Sequence, residues 1–153
     1  MIIKDIKESN ILTLERLKAY ANIVDSGHDD ELRAVLKSAA MRVAQYADVA
    51  LLECTIEDIA YTGEMQMWMP PVVSFVVVDE DDEDITDRCK AVGNILRLRY
   101  MGVKKVTYTV KPEDATVEQY APLVWQMAVA MWDGNTDEEQ KVYRRIPADY
   151  VVH

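Results

Sequence analysis

The sequence has few of the residues that metal and catalytic sites most often use. Its 153 residues include two cysteines and two histidines. Two cysteines cannot build a disulfide framework, so Cys54 and Cys89 are expected to be reduced, intracellular thiols. Zinc sites need closely spaced Cys and His residues, and His28 and His153 have no ligand-type neighbours at such spacing. We therefore expect no zinc site and no cofactor.

Glycine-rich loops and nucleophile motifs are missing as well. The five glycines are scattered, and neither glycine-rich phosphate fingerprint occurs. No nucleophile elbow is present. No apolar run is long enough to span a bilayer, and Lys4 and Asp5 interrupt the opening residues, which predicts no signal peptide. The sequence therefore predicts a single domain that is soluble and cytosolic at synthesis.

Positive charge is scarce overall, but the charge is strongly segregated. The formal net charge is −10, which argues against wrapping nucleic acid. Residues 79–87 hold seven acids and no base, whereas residues 88–111 hold seven bases and no acid. One interpretation is a solvated loop beside an ordinary charged strand face. The other is electrostatic complementarity, within the chain or between neighbouring copies.

The acidic run is the one candidate for a metal site. Read as a calcium loop from Asp79, it has Asp84 where the turn needs glycine and Lys90 where the site needs a bidentate Glu. Weak divalent binding stays open, as does contact of Arg97 and Arg99 with phosphate.

Two helices are predicted in the first third of the chain. The first covers residues 13–22, with Thr13 as its N-cap. The second covers residues 30–48, because its apolar residues recur in steps of three and four. Asp29 or Asp30 is expected to cap this second helix.

The middle of the chain changes to a period of two, which predicts strands within residues 55–78. Three methionines share one side of residues 65–69. Residues 72–78 are apolar on both faces, which predicts a strand buried on both sides or paired at an interface. Residues 95–110 alternate on either side of Met101-Gly102, which predicts a hairpin with one apolar and one basic face.

A last helix is predicted over residues 116–133, capped by Thr116 and kinked or divided at Pro122. Apolar residues on two sides of it, Trp125 and Trp132 among them, predict contact with a neighbouring subunit. Residues 136–153 lack a clear period and are expected to form an extended tail that orders on a partner.

The order of these elements resembles the head–tail connector (adaptor, head-completion) proteins of tailed bacteriophages. The resemblance covers most of residues 11–133. The segments that carry it are Leu14-Glu15-Arg16-Leu17-Lys18, the turn from Asp25 to Asp30, Leu32 to Tyr46, Pro70-Pro71-Val72-Val73-Ser74-Phe75, Val106-Thr107-Tyr108-Thr109 and Val124 to Trp132.

This resemblance implies a ring, typically dodecameric, that docks beneath the portal, extends the DNA channel and presents a surface to tail or further neck proteins. It implies no enzymatic activity, no cofactor and no sequence-specific DNA binding. It also implies a place in the neck of the virion, with assembly in the host cytoplasm. The C-terminal segment of the family often reaches the portal or a neighbouring subunit.

Together these expectations describe an α+β, mainly α, fold: a small helical bundle with an inserted antiparallel sheet or hairpin. Residues 1–135 form the connector-like domain and residues 136–153 the extended tail. The candidate subunit-interface residues are Asp79, Glu80, Asp81, Asp82, Glu83, Asp84, Arg97, Arg99, Lys104, Lys105, Trp125 and Trp132. The candidate portal- or ring-docking residues of the tail are Tyr143, Arg144, Arg145, Ile146, Tyr150 and Val151.

Two other functions fit the sequence. One is an adaptor that binds a single protein partner as a monomer or dimer. The other is a small metal-dependent enzyme that uses the acidic loop.

Overall fold

The computed structural model describes residues 1–61, 63–98 and 102–146, and these form four α-helices and seven strands in an α+β, mainly α, fold. The helices are α1 Leu14–Ala21, α2 Asp29–Ala47, α3 Asp114–Trp132 and α4 Thr136–Arg145. The strands are β1 Ile2–Lys4, β2 Cys54–Ala60, β3 Glu64–Gln66, β4 Val72–Val78, β5 Lys90–Val92, β6 Ile95–Arg97 and β7 Lys104–Val110.

The two predicted N-terminal helices are confirmed as α1 and α2, although one cap is wrong. Thr13 Oγ1 accepts a hydrogen bond from the backbone N–H of Arg16 at 3.3 Å, as an N-cap should. α2 follows His28 without any side-chain cap bond. The carboxylate of Asp29 instead binds Lys18 Nζ at 2.8 Å, which ties the start of α2 to α1.

α3 begins two residues earlier than expected, and it is not divided. The residue before it is Glu113, in an extended conformation, so Thr116 lies inside the helix and is not its cap. Pro122 also lies inside the continuous helix. A proline at this position forfeits one backbone hydrogen bond. Ala121, next to the proline, and Val124, two residues after it, are fully buried, and their packing offsets that loss.

The expectation of an extended segment from residue 136 onward is wrong for residues 136–145, which form α4. The side chain of Asn135 caps this helix by accepting from Glu138 N at 3.2 Å. Acids occupy its first turn and arginines its last turn, as the helix dipole favours. Val142 is its one fully buried residue, so the apolar period was too sparse to reveal the helix.

The larger sheet, sheet A, has the strand order β1-β2-β7-β4 and is antiparallel throughout. Its inner face is buried, with Ile56, Val77 and Tyr108 at most 1% exposed. β4 is one of the two edge strands, and three of its seven residues, Val73, Ser74 and Val76, are exposed. It is therefore not buried on both sides.

The smaller sheet, sheet B, has the strand order β3-β6-β5. The predicted hairpin over residues 95–110 is wrong, because β6 pairs with β5 and β3 while β7 joins sheet A. The hairpin that forms joins β5 to β6 through Gly93 and Asn94, with Gly93 at φ +62°. A two-residue Gly-Asn connection is a recognised hairpin signal.

One continuous hydrophobic core joins the helices to the buried sides of both sheets. Val43 of α2, Met127 of α3 and Val106 of β7 are all completely buried within it. Of the three alternating methionines, Met67 and Met69 are buried, whereas Met65 is only partly buried. α4 packs on α3, and the outer face of sheet A carries exposed residues such as Ile59 and Lys105.

Candidate assembly surfaces

The acidic run forms an ordered turn after β4. We call residues 79–84 the acidic turn. The Asp79 carboxylate accepts hydrogen bonds from the backbone N–H groups of Asp81 and Glu83, both at 2.9 Å. Asp82 takes φ +60°, a conformation that Asp and Asn tolerate better than most residues. One carboxylate is therefore committed to holding the turn together.

A second carboxylate fixes the turn against β4. Asp84 Oδ1 accepts from both the hydroxyl and the backbone N–H of Thr86, and the hydroxyl, followed by the backbone N–H, lowers the pKa of this carboxyl. Thr86 Oγ1 in turn accepts from Val77 N at 2.9 Å. The chain thus folds back over the C-terminal end of β4.

The remaining acids of the turn point their charge outward. Glu80, Asp81, Asp82 and Glu83 are exposed, and none forms an ion pair within residues 1–61, 63–98 and 102–146. The same ranges hold no cluster of acidic, His and Cys side chains suited to a metal ion. What the turn offers is a compact negative surface for a cationic group.

The basic residues do not share one face, contrary to the predicted basic hairpin. Arg97 lies on sheet B between Glu64, 3.5 Å from its guanidinium, and Lys90 on the other neighbouring strand. Lys105 lies on sheet A, 3.7 Å from Glu57. Arg99 lies outside the described residues. Arg97 and Lys105 are exposed and remain available to a partner.

Lys104 is buried, at 2% exposure, and this removes it from the candidate interface set. Its ammonium donates to the Gly102 carbonyl at 3.1 Å. A cavity of about 150 Å³ between the acidic turn and the start of β7 is lined by Glu80 and Lys104 among others. The acidic turn and Lys104 therefore line the same cavity within a single chain.

The two candidate tryptophans have different environments. Trp125 is 6% exposed, and the guanidinium of Arg16 lies 5.5 Å from its ring centroid. It belongs to the core of one chain and offers little to a neighbour. Trp132, at 37% exposure, contacts His28 edge-on with 5.7 Å between ring centroids. Trp132 alone of the pair presents an aromatic surface.

The candidate tail residues divide in the same way. Tyr143 packs on Tyr46 with ring centroids 4.8 Å apart, and Ile146 is buried, so both stabilise the chain's own fold. Arg145 donates to Gln126 Oε1 at 2.6 Å, and Arg144 is exposed. Tyr150 and Val151 lie outside the described residues.

Sequence reasoning did not identify the free edge of β4 as a distinct surface. Val73 is 57% exposed and Val76 is 45% exposed on this strand, and no charged residue occurs between Pro70 and Val78. The signal was present in the apolar run that fits either burial or an interface. Its place at the edge of a sheet required knowledge of the strand order.

The outer face of sheet A carries a short cross-strand ion network. Glu57 Oε1 on β2 forms ion pairs with Lys4 Nζ of β1 at 2.5 Å and with Lys105 Nζ of β7 at 3.7 Å. The hydrogen bond from Lys4 is the main reason that the pKa of Glu57 is lowered. The same pair raises the pKa of Lys4. This network fixes β1 on the sheet.

Within the described part of the chain, no helix is both long enough and apolar enough to cross a bilayer.

No protein-family model and no curated protein matches the sequence. Solved structures do match the fold. A chain in the neck of an empty GTA particle, computed with C6 symmetry, aligns with a TM-score of 0.62 and 11% identity over 87% of this chain and 84% of that chain. A chain in the virion of a native gene transfer agent (GTA) particle aligns at 0.61 with 14% identity over the same shares, 87% and 84%. A chain in the neck of a native GTA particle, computed with C12 symmetry, aligns at 0.55 with 13% identity over 94% of both chains. This chain therefore has a fold found in gene transfer agent particles, consistent with its resemblance to head–tail connector proteins.

Proposed function

We propose that the chain is a non-enzymatic structural subunit of a phage-like neck, which assembles into a ring between portal and tail and extends the DNA channel. The observation that carries the proposal is the fold shared with chains of neck particles over most of both lengths. The connector resemblance of the sequence points to the same role without using the structure.

A ring of identical subunits needs two different, complementary surfaces on each copy. The exposed acids of the acidic turn supply one charged surface. The exposed bases Arg97, Lys90 and Lys105 supply the opposite charge at other sites on the chain. We therefore propose that the acidic turn of one copy faces basic side chains of the next.

Net negative charge suits passage of DNA. A channel wall binds phosphates when it presents clustered Lys and Arg, and releases condensed counterions as it does so. With a net charge of −10, this chain as a whole repels the phosphate backbone. DNA would pass along such a wall without being gripped and without sequence being read.

Docking to a portal is proposed for the end of the chain beyond α4. Arg144 is exposed in the last turn of α4, and residues 147–153 follow the buried Ile146. Deletion of residues 147–153 keeps every helix and strand described above in the chain and should weaken binding to the portal of the same particle. Portal binding at the level of the intact chain would contradict this docking site.

Native mass spectrometry of the chain, alone and mixed with that portal protein, tests the proposed function. A ring, and its complex with the portal, is expected. A monomer or dimer at all concentrations, with no portal complex, would favour the adaptor function. A strong rise in melting temperature on adding magnesium or calcium would favour the metal-dependent function, since a bound ion stabilises the native state.

The charge contact has its own test. Reversing Arg97 and Arg99 to Glu should weaken assembly, with the greatest loss at low salt, where exposed charges are least screened. Normal assembly of this variant at all salt concentrations would rule the contact out.

A further inference from the structure

The free edge of β4 is open over only part of its length. At its C-terminal end, Val77 N donates to Thr86 Oγ1 and the Val77 carbonyl accepts from Ile85 N, both at 2.9 Å. Backbone groups alternate in direction along a regular strand. The N–H and C=O of Phe75, two residues before Val77, therefore point to the same side of the strand as those of Val77, away from β7. Neither group has a hydrogen-bond partner among the described residues. We call Val72–Val76 the open edge.

The open edge is protected only at its two ends. Proteins protect such edges with charged side chains, prolines, bulges or a covering segment. The acidic turn covers one end here, and a bulge between Val72 and Ser74 lies at the other. Val76, between them, is 45% exposed, and the strand carries no charge. Such an edge favours the addition of another strand.

The opposite edge of sheet A is formed by β1, which has no second strand paired to it among the described residues. The direction of its backbone N–H and C=O groups follows from the pairing of the four strands. Phe75 lies opposite Tyr108. Because the backbone N–H and C=O of Phe75 point away from β7, the two residues form a non-hydrogen-bonded pair, and the backbone groups of Tyr108 bond toward β2. Tyr108 is paired with Ile56, which therefore bonds toward β7 and not toward its other neighbour, Ile3. The N–H and C=O of Ile3 consequently face the free edge of β1.

The directions of the strands also allow copies of sheet A to join side by side. β1, β2, β7 and β4 alternate in direction, so β4 runs antiparallel to β1. When copies of the sheet are placed side by side in the same orientation, β4 of one copy lies antiparallel to β1 of the next. An even number of alternating strands thus continues from subunit to subunit without a break in the pattern.

We infer that the open edge of β4 pairs with β1 of the next copy, so that sheet A runs continuously around the ring. This contact rests on the proposed ring and specifies how its subunits meet. The register that matches both backbone direction and sheet face puts Ile3 opposite Phe75 and Ile2 opposite Val76. Ile3 and Phe75 are both partly buried against the core, whereas Ile2 and Val76 are 60% and 45% exposed on the outer face. In this register the N–H and C=O of Ile3 exchange hydrogen bonds with those of Phe75, and the side chains of Ile2 and Val76 cover each other. The interface is heterologous, as a ring requires.

A designed disulfide tests this register. Ile2 and Val76 would form a non-hydrogen-bonded pair, with Cα atoms about 4.5 Å apart, within disulfide range. We expect the double variant Ile2→Cys/Val76→Cys, in a Cys89→Ser background, to give a ladder of covalent multimers on oxidation. Cys54 is buried and stays in place. Each single variant in the same background is the control and should give no ladder.

The outcomes separate the edge pairing from the ring itself. A double variant that forms the ring by native mass spectrometry but no ladder above the single variants overturns the edge pairing and leaves the ring standing. A covalent dimer from Val76→Cys alone would mean that β4 meets β4 of a second copy, which also overturns it. A wild-type chain that stays monomeric at every concentration overturns the proposed ring.

Discussion

The inner and outer sides of sheet A differ in both composition and burial. On the inner side, Val106, Tyr108 and Val110 are at most 1% exposed and join the core shared with the helices. On the outer side and the open edge, Val73 and Val76 are about half exposed although they are equally apolar. Burial of the inner side accounts for the fold of one chain. The exposed valines contribute little to that fold, which is why we assign them to contact between chains.

The largest expected effect lies on the inner side. Met127 of α3 is completely buried, so Met127→Ala should lower the free energy of unfolding by about 2–5 kcal/mol through lost contacts and a cavity. Met127→Leu keeps most of the volume and should cost less than about 1.5 kcal/mol. Chemical denaturation measures both. Equal losses in the two variants would contradict tight packing at this site.

A smaller loss is expected at a buried hydroxyl. Tyr108 Oη accepts from Trp68 N at 2.9 Å, and burial raises the pKa of Tyr108 to about 12. Tyr108→Phe leaves that N–H without its acceptor and should cost about 1–3 kcal/mol of unfolding free energy. Tyr20→Phe, at a 48% exposed position, is the matched control. A loss at Tyr108 no greater than at Tyr20 would show that the bond contributes nothing.

The open edge should respond in the opposite way. Val76→Lys is expected to change the free energy of unfolding by less than about 0.5 kcal/mol, because the side chain is half exposed. The same change should raise the concentration needed for assembly by about tenfold, a factor that corresponds to roughly 1.4 kcal/mol. Sedimentation measures assembly. Val24→Lys, at a 97% exposed valine away from the sheet, should leave it unchanged.

The smallest effect concerns the ion network of the outer face. The pKa of Glu57 is lowered from 4.5, so its contribution to stability is present above that pH and is lost as the pH falls through the lowered value. Glu57→Gln should remove this part of the acid dependence and leave stability near neutral pH little changed. Glu8→Gln, at an exposed carboxylate, serves as the control. Melting temperature followed from pH 7 into the acid range checks the prediction, and parallel curves for Glu57→Gln and the wild type would contradict it.

The helices were predictable because their signals are local. Thr13 and the apolar stripe of α2 need only neighbouring residues to be recognised. α4 was missed because Val142 is its single fully buried residue, but Asn135, the acids after it and the terminal arginines were a readable capping pattern.

Strand pairing was less predictable, because it joins residues distant in sequence. The alternation of residues 95–110 predicts two strands, but it does not show whether those strands pair with each other or, as β6 and β7 do, with strands of two different sheets. Burial of Lys104 and Trp125 likewise depends on which elements cover them, and this decided which candidate interface residues stayed at the surface. The exposed acids of the acidic turn were predictable, since a run without apolar residues remains in water. Its internal hydrogen bonds, made by Asp79 and Asp84, were not.

The most direct test of the account is the native mass of the wild-type chain over a range of concentrations. We predict one discrete closed ring of the 17.5 kDa chain, which Val76→Lys weakens and Val24→Lys does not. A monomer or dimer at every concentration, or a ring equally stable in both lysine variants, would contradict the account.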